Sequence, residues 1–391
     1  MDSGSARAAQ IARHVVGAAA RPAAAAETVK WGIMGTANIA NIVLPAIVAS
    51  PSSVVLACAS RSAEKAKEWA AERDIPRSYG GYQALLDDDE IDAVYIPLPT
   101  TLHIEWVVKA AEAKKHVLVE KPVALTMAEM ETITSACEAN GVLLMDAVHW
   151  MHNPRTPVFM DAVRNSAGPI RRVNASFCFP AHRREGFFEE NIRTQTDADP
   201  LGGLGDLGWY TIRGILVAMD WEMPTSVTAQ GNTLENGVPL AVVATMQFAS
   251  GCLATMDCGF DVENREALEI SGREGTVRVD GFVLVSTPPH RTPSASTAEA
   301  NSFTVTTGQD RVIDGTPEGK RTTSFVSNET VTTEMPLSQE AEMMECFSRL
   351  VADGSPSQAA REQWAGYITG TQRVANAVLE SLRSGGAPVT L

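Results

Sequence analysis

Short apolar runs alternate with amphipathic stretches through the first 150 residues. The runs at 29–34, 54–59, 91–96, 117–119 and 142–145 are predominantly apolar, the pattern of strands covered on both faces. Between them, 63–71, 104–113 and 126–139 repeat their apolar residues at helical spacing, with Ala66 and Trp69 on one face. Strands and helices in this alternation predict βαβ units and an open parallel sheet, whose ligand lies beyond the carboxyl ends of the strands.

Past Pro154 the pattern changes. Strand-like segments at 170–179, 226–231, 241–248, 252–260, 267–271 and 275–279 follow one another with glycine turns and few helices, which predicts an antiparallel sheet. A helix is expected at 207–219. The Ser-, Thr-, Pro- and Gly-rich stretch at 286–328 reads as a long loop, and 340–351 and 364–382 read as amphipathic helices that close the fold. The predicted fold class is therefore α/β, in two domains: a dinucleotide-binding Rossmann domain at 29–150 and a second α/β domain with an open, mostly antiparallel sheet at 151–385. Residues 1–28 form an extension.

Composition narrows the partners. A formal charge of −15, with 32 basic residues interspersed among 47 acidic ones, disfavours nucleic-acid binding. No apolar run reaches membrane-spanning length. The six cysteines show no C-x-x-C pairing and sit mostly in apolar runs, so reduced thiols in a reducing, cytoplasmic-type compartment are expected. The alanine-rich extension carries Arg7, Arg13 and Arg21 against only Asp2 and Glu27, which leaves an organelle-targeting role open.

The first strand runs into WGIMGTANIA at 31–40, a small-residue turn before a helix. A pyrophosphate needs a tight turn, a close backbone approach and free N–H groups at a helix start. Gly35, Thr36, Ala37, Asn38 and Ile39 are the candidates for that contact, although Ala37 stands where the usual G-x-G-x-x-G pattern has its second glycine. After the second strand comes Ser60-Arg61-Ser62 with no acidic residue for the ribose hydroxyls. Arg61, Ser60 and Lys65 instead offer a phosphate its donors, so NADP is favoured over NAD. Pro97 and Pro99 stiffen the loop after the third strand, where Pro97 and Leu98 are candidate cofactor contacts, and His103 is placed either to bond at the next helix start or to sit over the cofactor.

Glu120-Lys121-Pro122 follows the fourth strand, where a lysine can share a substrate oxygen's proton while hydride moves on carbon. Asp206 and Tyr210 lie four apart at a helix start, a carboxylate to orient and a phenol to assist. Trp150 is expected as a flat wall beside the nicotinamide, and Arg155 at the domain junction. His149 and His152 lack a third ligand at any recognisable spacing, so no metal is predicted.

The motifs WGIMGTANIA at 31–40, YIPLPTTLHIEW at 95–106, EKP at 120–122, MDAVHWMHNP at 145–154 and GGLGDLGWY at 202–210 resemble the glucose-fructose oxidoreductase/inositol dehydrogenase/rhizopine catabolism family. They are most similar to its branch of trans-dihydrodiol and NADP-dependent D-xylose dehydrogenases, plant members included. The resemblance spans 29–385. It implies a central catalytic Lys121, with Asp206 and Tyr210 in the substrate cleft and a homodimer built on the open sheet face. It also implies hydride transfer between a nicotinamide and a carbon of a sugar, polyol or trans-diol. A non-catalytic dinucleotide sensor, or an enzyme that retains its cofactor between two substrates, are the alternatives. His149 departs from the methionine or phenylalanine common in relatives.

Overall fold

The computed structural model describes residues 28–284, 301–313, 321–352 and 356–391, so the N-terminal extension lies outside the described residues apart from Thr28. Six parallel strands, β1 (Val29–Met34), β2 (Ser53–Ser60), β3 (Arg77–Gly80), β4 (Ala93–Ile96), β5 (His116–Val119) and β6 (Leu144–Asp146), form one sheet in the order β3-β2-β1-β4-β5-β6. Helices Ala40–Ala49, Ala63–Ala71, His103–Glu112 and Met127–Asn140 lie between strands. Strand order reverses between β1 and β4, which opens a crevice at their carboxyl ends. β3 has no counterpart in the hydrophobic pattern because it is a half-exposed edge strand of sequence RSYG.

The second sheet has nine strands: β7 (Ile170–Cys178), β8 (Ser226–Thr233), β9 (Pro239–Gln247), β10 (Leu253–Gly259), β11 (Arg265–Gly272), β12 (Gly275–Asp280), β13 (Ser302–Ile313), β14 (Arg321–Thr332) and β15 (Val389–Thr390), ordered β14-β13-β12-β11-β7-β10-β9-β8-β15. Every neighbouring pair is antiparallel except β7 with β10. Along β9, Val242, Ala244 and Met246 are buried while Val243, Thr245 and Gln247 are exposed, so one face is packed and the other is open.

The loop expected at 286–328 is corrected in its described part. β13 and most of β14 fall there and pair along their length. Their threonine-rich sequences lack the apolar runs that mark buried strands, yet β-branched threonine suits an extended backbone. The rest of the stretch lies outside the described residues.

Helix Gln339–Val351 packs back on the Rossmann domain. Glu345 accepts hydrogen bonds from Ser50 Oγ at 2.8 Å and from the Ser52 amide and hydroxyl at 3.0 Å each, while Phe347 meets Trp31 at 4.7 Å between ring centroids. A second lock lies deeper. Asp146, at the end of β6, pairs with Arg213 of helix Trp209–Ala218 at 2.7 Å, with both side chains fully buried. Trp209 Nε1 also donates to Asp146, and Arg213 Nε donates to Thr371 of helix Gln358–Arg383.

Candidate active site

The chain turns at Gly35 with φ +119°, a conformation that disfavours any side chain, and a Cβ there would come within 3.2 Å of Leu98. Next comes helix Ala40–Ala49, whose start has no side-chain cap and no acidic residue in its first turn. Beside it, Gly35, Thr36, Ala37, Ser60, Arg61, Ser62, Lys65, Tyr82, Pro97 and Leu98 line a cavity of about 470 Å³. Neither Arg61 nor Lys65 has an ion-pair partner among the described residues, so two cations line this space without a carboxylate on either. These residues fit the phosphorylated ribose of a dinucleotide.

Thr36, Ala37, Pro97 and Leu98 also border a larger cleft of about 1760 Å³ between the two sheets. Asn38, Ile39, Glu120, Lys121, His149, Asp199, Asp206 and Tyr210 line it as well. The two spaces share these lining residues and together have volume for a dinucleotide and a second molecule.

Lys121, Asp206 and Tyr210 meet in the larger cleft. Lys121 Nζ donates to Asp206 Oδ1 at 2.6 Å and to the Asp206 carbonyl at 2.7 Å, and it lies 4.7 Å from the centroid of the Tyr210 ring. Asp206 sits in a π-helical turn, Leu204–Gly208, a distortion common at functional positions. The glycines before it serve close packing: a Cβ on Gly202 would lie 2.4 Å from the Pro239 carbonyl, and one on Gly203 2.7 Å from that of Leu240.

Charge is concentrated here in little solvent. Burial works to raise the pKa of Asp206, but Arg193 and Lys121 override it and hold the carboxyl down at about 2. Arg193, from the turn Ile192–Thr194, places Nε 2.6 Å from Asp206 Oδ1. Asp199 nearby is pushed up to about 6 by burial and by the Asp206 charge, and its Oδ1 has no hydrogen-bond partner. Burial raises Tyr210 well above the usual phenol range, with Glu120 and Asp206 adding to it. Glu120 is also raised by burial, and it accepts a 2.6 Å hydrogen bond from Tyr95.

Two expected cofactor contacts lie elsewhere. His103 is buried between backbone carbonyls, with Nδ1 3.0 Å from that of Pro122 and Nε2 2.9 Å from that of Leu98; a neutral ring donates to one of the two, behind the cleft loops. Burial pulls its pKa down to about 4. Trp150 is likewise buried, edge-on to Phe282, and does not border the cleft; the turn His149–His152 directs His149 there instead. His152 stacks on Trp364. Arg155, expected at the domain junction, donates to the Gly281 carbonyl of the second domain at 2.8 Å.

Arg193, Asp199 and Tyr95 were not legible as site residues. The first two come from an irregular stretch without periodicity, and the third sits inside an apolar strand; the Asp-Pro pair just before the glycine run was the one available signal.

Residues 29–147 match the oxidoreductase family with an NAD-binding Rossmann fold, and residues 163–278 match the C-terminal domain of the same family. The chain belongs to the Gfo/Idh/MocA oxidoreductases. It is 30% identical to D-xylose 1-dehydrogenase (NADP(+)) 2 of Haloferax volcanii over 91% of this chain and 98% of that one. Trans-1,2-dihydrobenzene-1,2-diol dehydrogenase of Danio rerio is 31% identical over 66% of this chain and 76% of its own length. Among solved structures, the 3-ketoreductase KijD10 of Actinomadura kijaniata, crystallised with NADP and TDP-benzene, is 25% identical with a TM-score of 0.71, covering 92% of this chain and 98% of that one. The two-domain α/β fold and the oxidoreductase class are thereby those of the Gfo/Idh/MocA family.

Proposed function

We propose that this oxidoreductase uses NADP to move hydride to or from a carbon of a sugar, polyol or trans-diol, with Lys121 and Tyr210 handling the proton. The observation that carries this reading is the placement of Lys121 Nζ in the cleft, 2.6 Å from a carboxylate and against the face of a phenol. The bound nicotinamide supplies the hydride chemistry. Lys121 presents an N–H toward the reacting oxygen and stabilises negative charge there, which a site with little water makes more effective. Asp206 fixes the ammonium by two hydrogen bonds, one from its side chain and one from its backbone. Tyr210 offers a second donor, its hydroxyl.

Preference for NADP is supported by the unpaired Arg61 and Lys65, and by the NADP named in the Haloferax and Actinomadura relatives. Association of two copies through the open sheet face is supported by exposed Val243 and Leu253 on neighbouring strands. Free thiols at all six cysteines, five of them buried, support a reducing compartment.

Aldoses, polyols, trans-diols and dicarbonyls assayed with NADP(H) and NAD(H) in both directions, following the nicotinamide absorbance, test the reading. Turnover with NADP(H) is expected. Absence of binding of either cofactor by calorimetry overturns it, and reduced-nicotinamide absorbance in the purified protein would favour the cofactor-retaining alternative.

A further inference from the structure

Between the two domains runs a chain of hydrogen bonds whose direction is set at the backbone. The Arg155 amide N–H donates to Asn153 Oδ1 at 2.8 Å, so the amide group of Asn153 faces the other way and donates to Gln339 Oε1 at 3.3 Å. That leaves Gln339 Nε2 as the donor, and one of its hydrogens meets the Val283 carbonyl at 2.7 Å, an acceptor that cannot be anything else. Its other hydrogen points at His149 Nδ1, 2.9 Å away. Gln339, Asn153 and Arg155 are all buried, so water does not scramble the order.

A ring nitrogen that accepts a hydrogen bond carries no proton, so His149 is held neutral with its hydrogen on Nε2. Nε2 faces the Tyr210 hydroxyl at 3.5 Å, a separation of the kind that tightens when a reacting complex forms. The rings lie 5.6 Å apart between centroids. With the imidazole donating, the Tyr210 oxygen is the acceptor, and the phenol's own hydrogen is left for another partner.

We propose that Gln339 and His149 are positioning residues that act through Tyr210: they fix one imidazole tautomer, which turns the phenol hydrogen into the cleft and supports negative charge on the phenol oxygen. This rests on the role given to Tyr210 above. In the direction of carbonyl reduction, where a bound reduced nicotinamide would supply the hydride for the new C–H bond, the Tyr210 O–H bond breaks as its proton goes to the substrate oxygen. The phenolate left behind is held by the His149 N–H until solvent returns a proton; oxidation runs the same transfers backwards. The pull of burial toward a weaker acid at Tyr210 is what such a donor offsets.

Two measurements on the full chain decide it. Long-range proton–nitrogen NMR of histidine-labelled protein reads each ring's tautomer, with the His149 signal assigned by its loss in His149→Phe and its displacement in Gln339→Met. An Nε2–H tautomer at His149 is expected; an Nδ1–H tautomer or an imidazolium at pH 8 overturns the proposal. With D-xylose and NADP, Gln339→Met is expected to lower kcat roughly tenfold at little changed KM, the worth of about one hydrogen bond. In a Tyr210→Phe background the same substitution should do nothing further, whereas an equal loss in both backgrounds overturns the proposal, since a merely structural role adds independently. Failure of every substrate probe counts against the proposed reaction and leaves the tautomer measurement to decide this inference.

Discussion

Lys121 and Asp206 come from different domains, one from the end of a parallel strand and the other from a distorted helix start, and they meet at 2.6 Å in the floor of the cleft. Because Arg193 shares the same Asp206 oxygen, the carboxylate keeps a cationic partner when the lysine is removed. That makes Lys121 separable from folding.

Lys121→Ala is accordingly expected to fold and bind NADP normally while turnover falls by roughly 10²- to 10⁴-fold, the range for a positioned proton-transfer group. Tyr210→Phe should be less impaired, because the Lys121 ammonium remains to give the same substrate oxygen a proton. Steady-state kinetics with calorimetric cofactor titration check this; near-full activity in Lys121→Ala alongside a dead Tyr210→Phe would reverse the two roles.

Arg61→Ala removes one of the two cations at the small cavity. Charged hydrogen bonds are worth about 1.5–3 kcal/mol, so NADP affinity should fall about ten- to a hundredfold with NAD affinity nearly unchanged. An equal, small effect on both cofactors would place recognition of the ribose phosphate elsewhere.

Asp199 gives a pH signature. Its carboxyl is raised in the folded protein to about 6, so the folded state favours the protonated form and stability is lost as pH rises from the unfolded value toward and past 6. Asp199→Asn should therefore melt higher than the parent at pH 8, with a gain of up to about 3 kcal/mol, and the gain should shrink at pH 5. Thermal melts showing the same difference at both pH values would mean that the carboxyl is not raised into this window, and a loss at pH 8 would mean that the carboxylate is ionised and stabilising.

Asp146→Ala leaves Arg213 charged and fully buried, with its principal partner gone. Removing one member of such a pair costs about 3–5 kcal/mol. Chemical denaturation should show that loss, and Asp146→Asn, which keeps an acceptor for Trp209 and Arg213, should lose less.

The alternating apolar runs made the Rossmann sheet readable, because strands buried on both faces have little room for polar residues. The same rule concealed β3, an edge strand, and β13 and β14, whose sequences are polar and threonine-rich. At the site, Lys121, Asp206 and Tyr210 stood out because each follows a punctuated motif, a strand end or a glycine run. His103 and Trp150 stood in equally suggestive places but face inward, since sequence position gives the neighbourhood of a side chain and packing gives its direction. Gln339 is nearly two hundred positions from His149, and no local pattern could have joined them.

Several contacts between the domains are buried, Asp146 with Arg213 and Glu345 with the serines of the first domain, and Asn376 adds a half-buried one to the Leu125 carbonyl. Parting the halves would bare a carboxylate, a guanidinium and several hydroxyls at once. Each of these groups has given up water to be there, so the seam that frames the cleft is held by partners that neither half can supply alone.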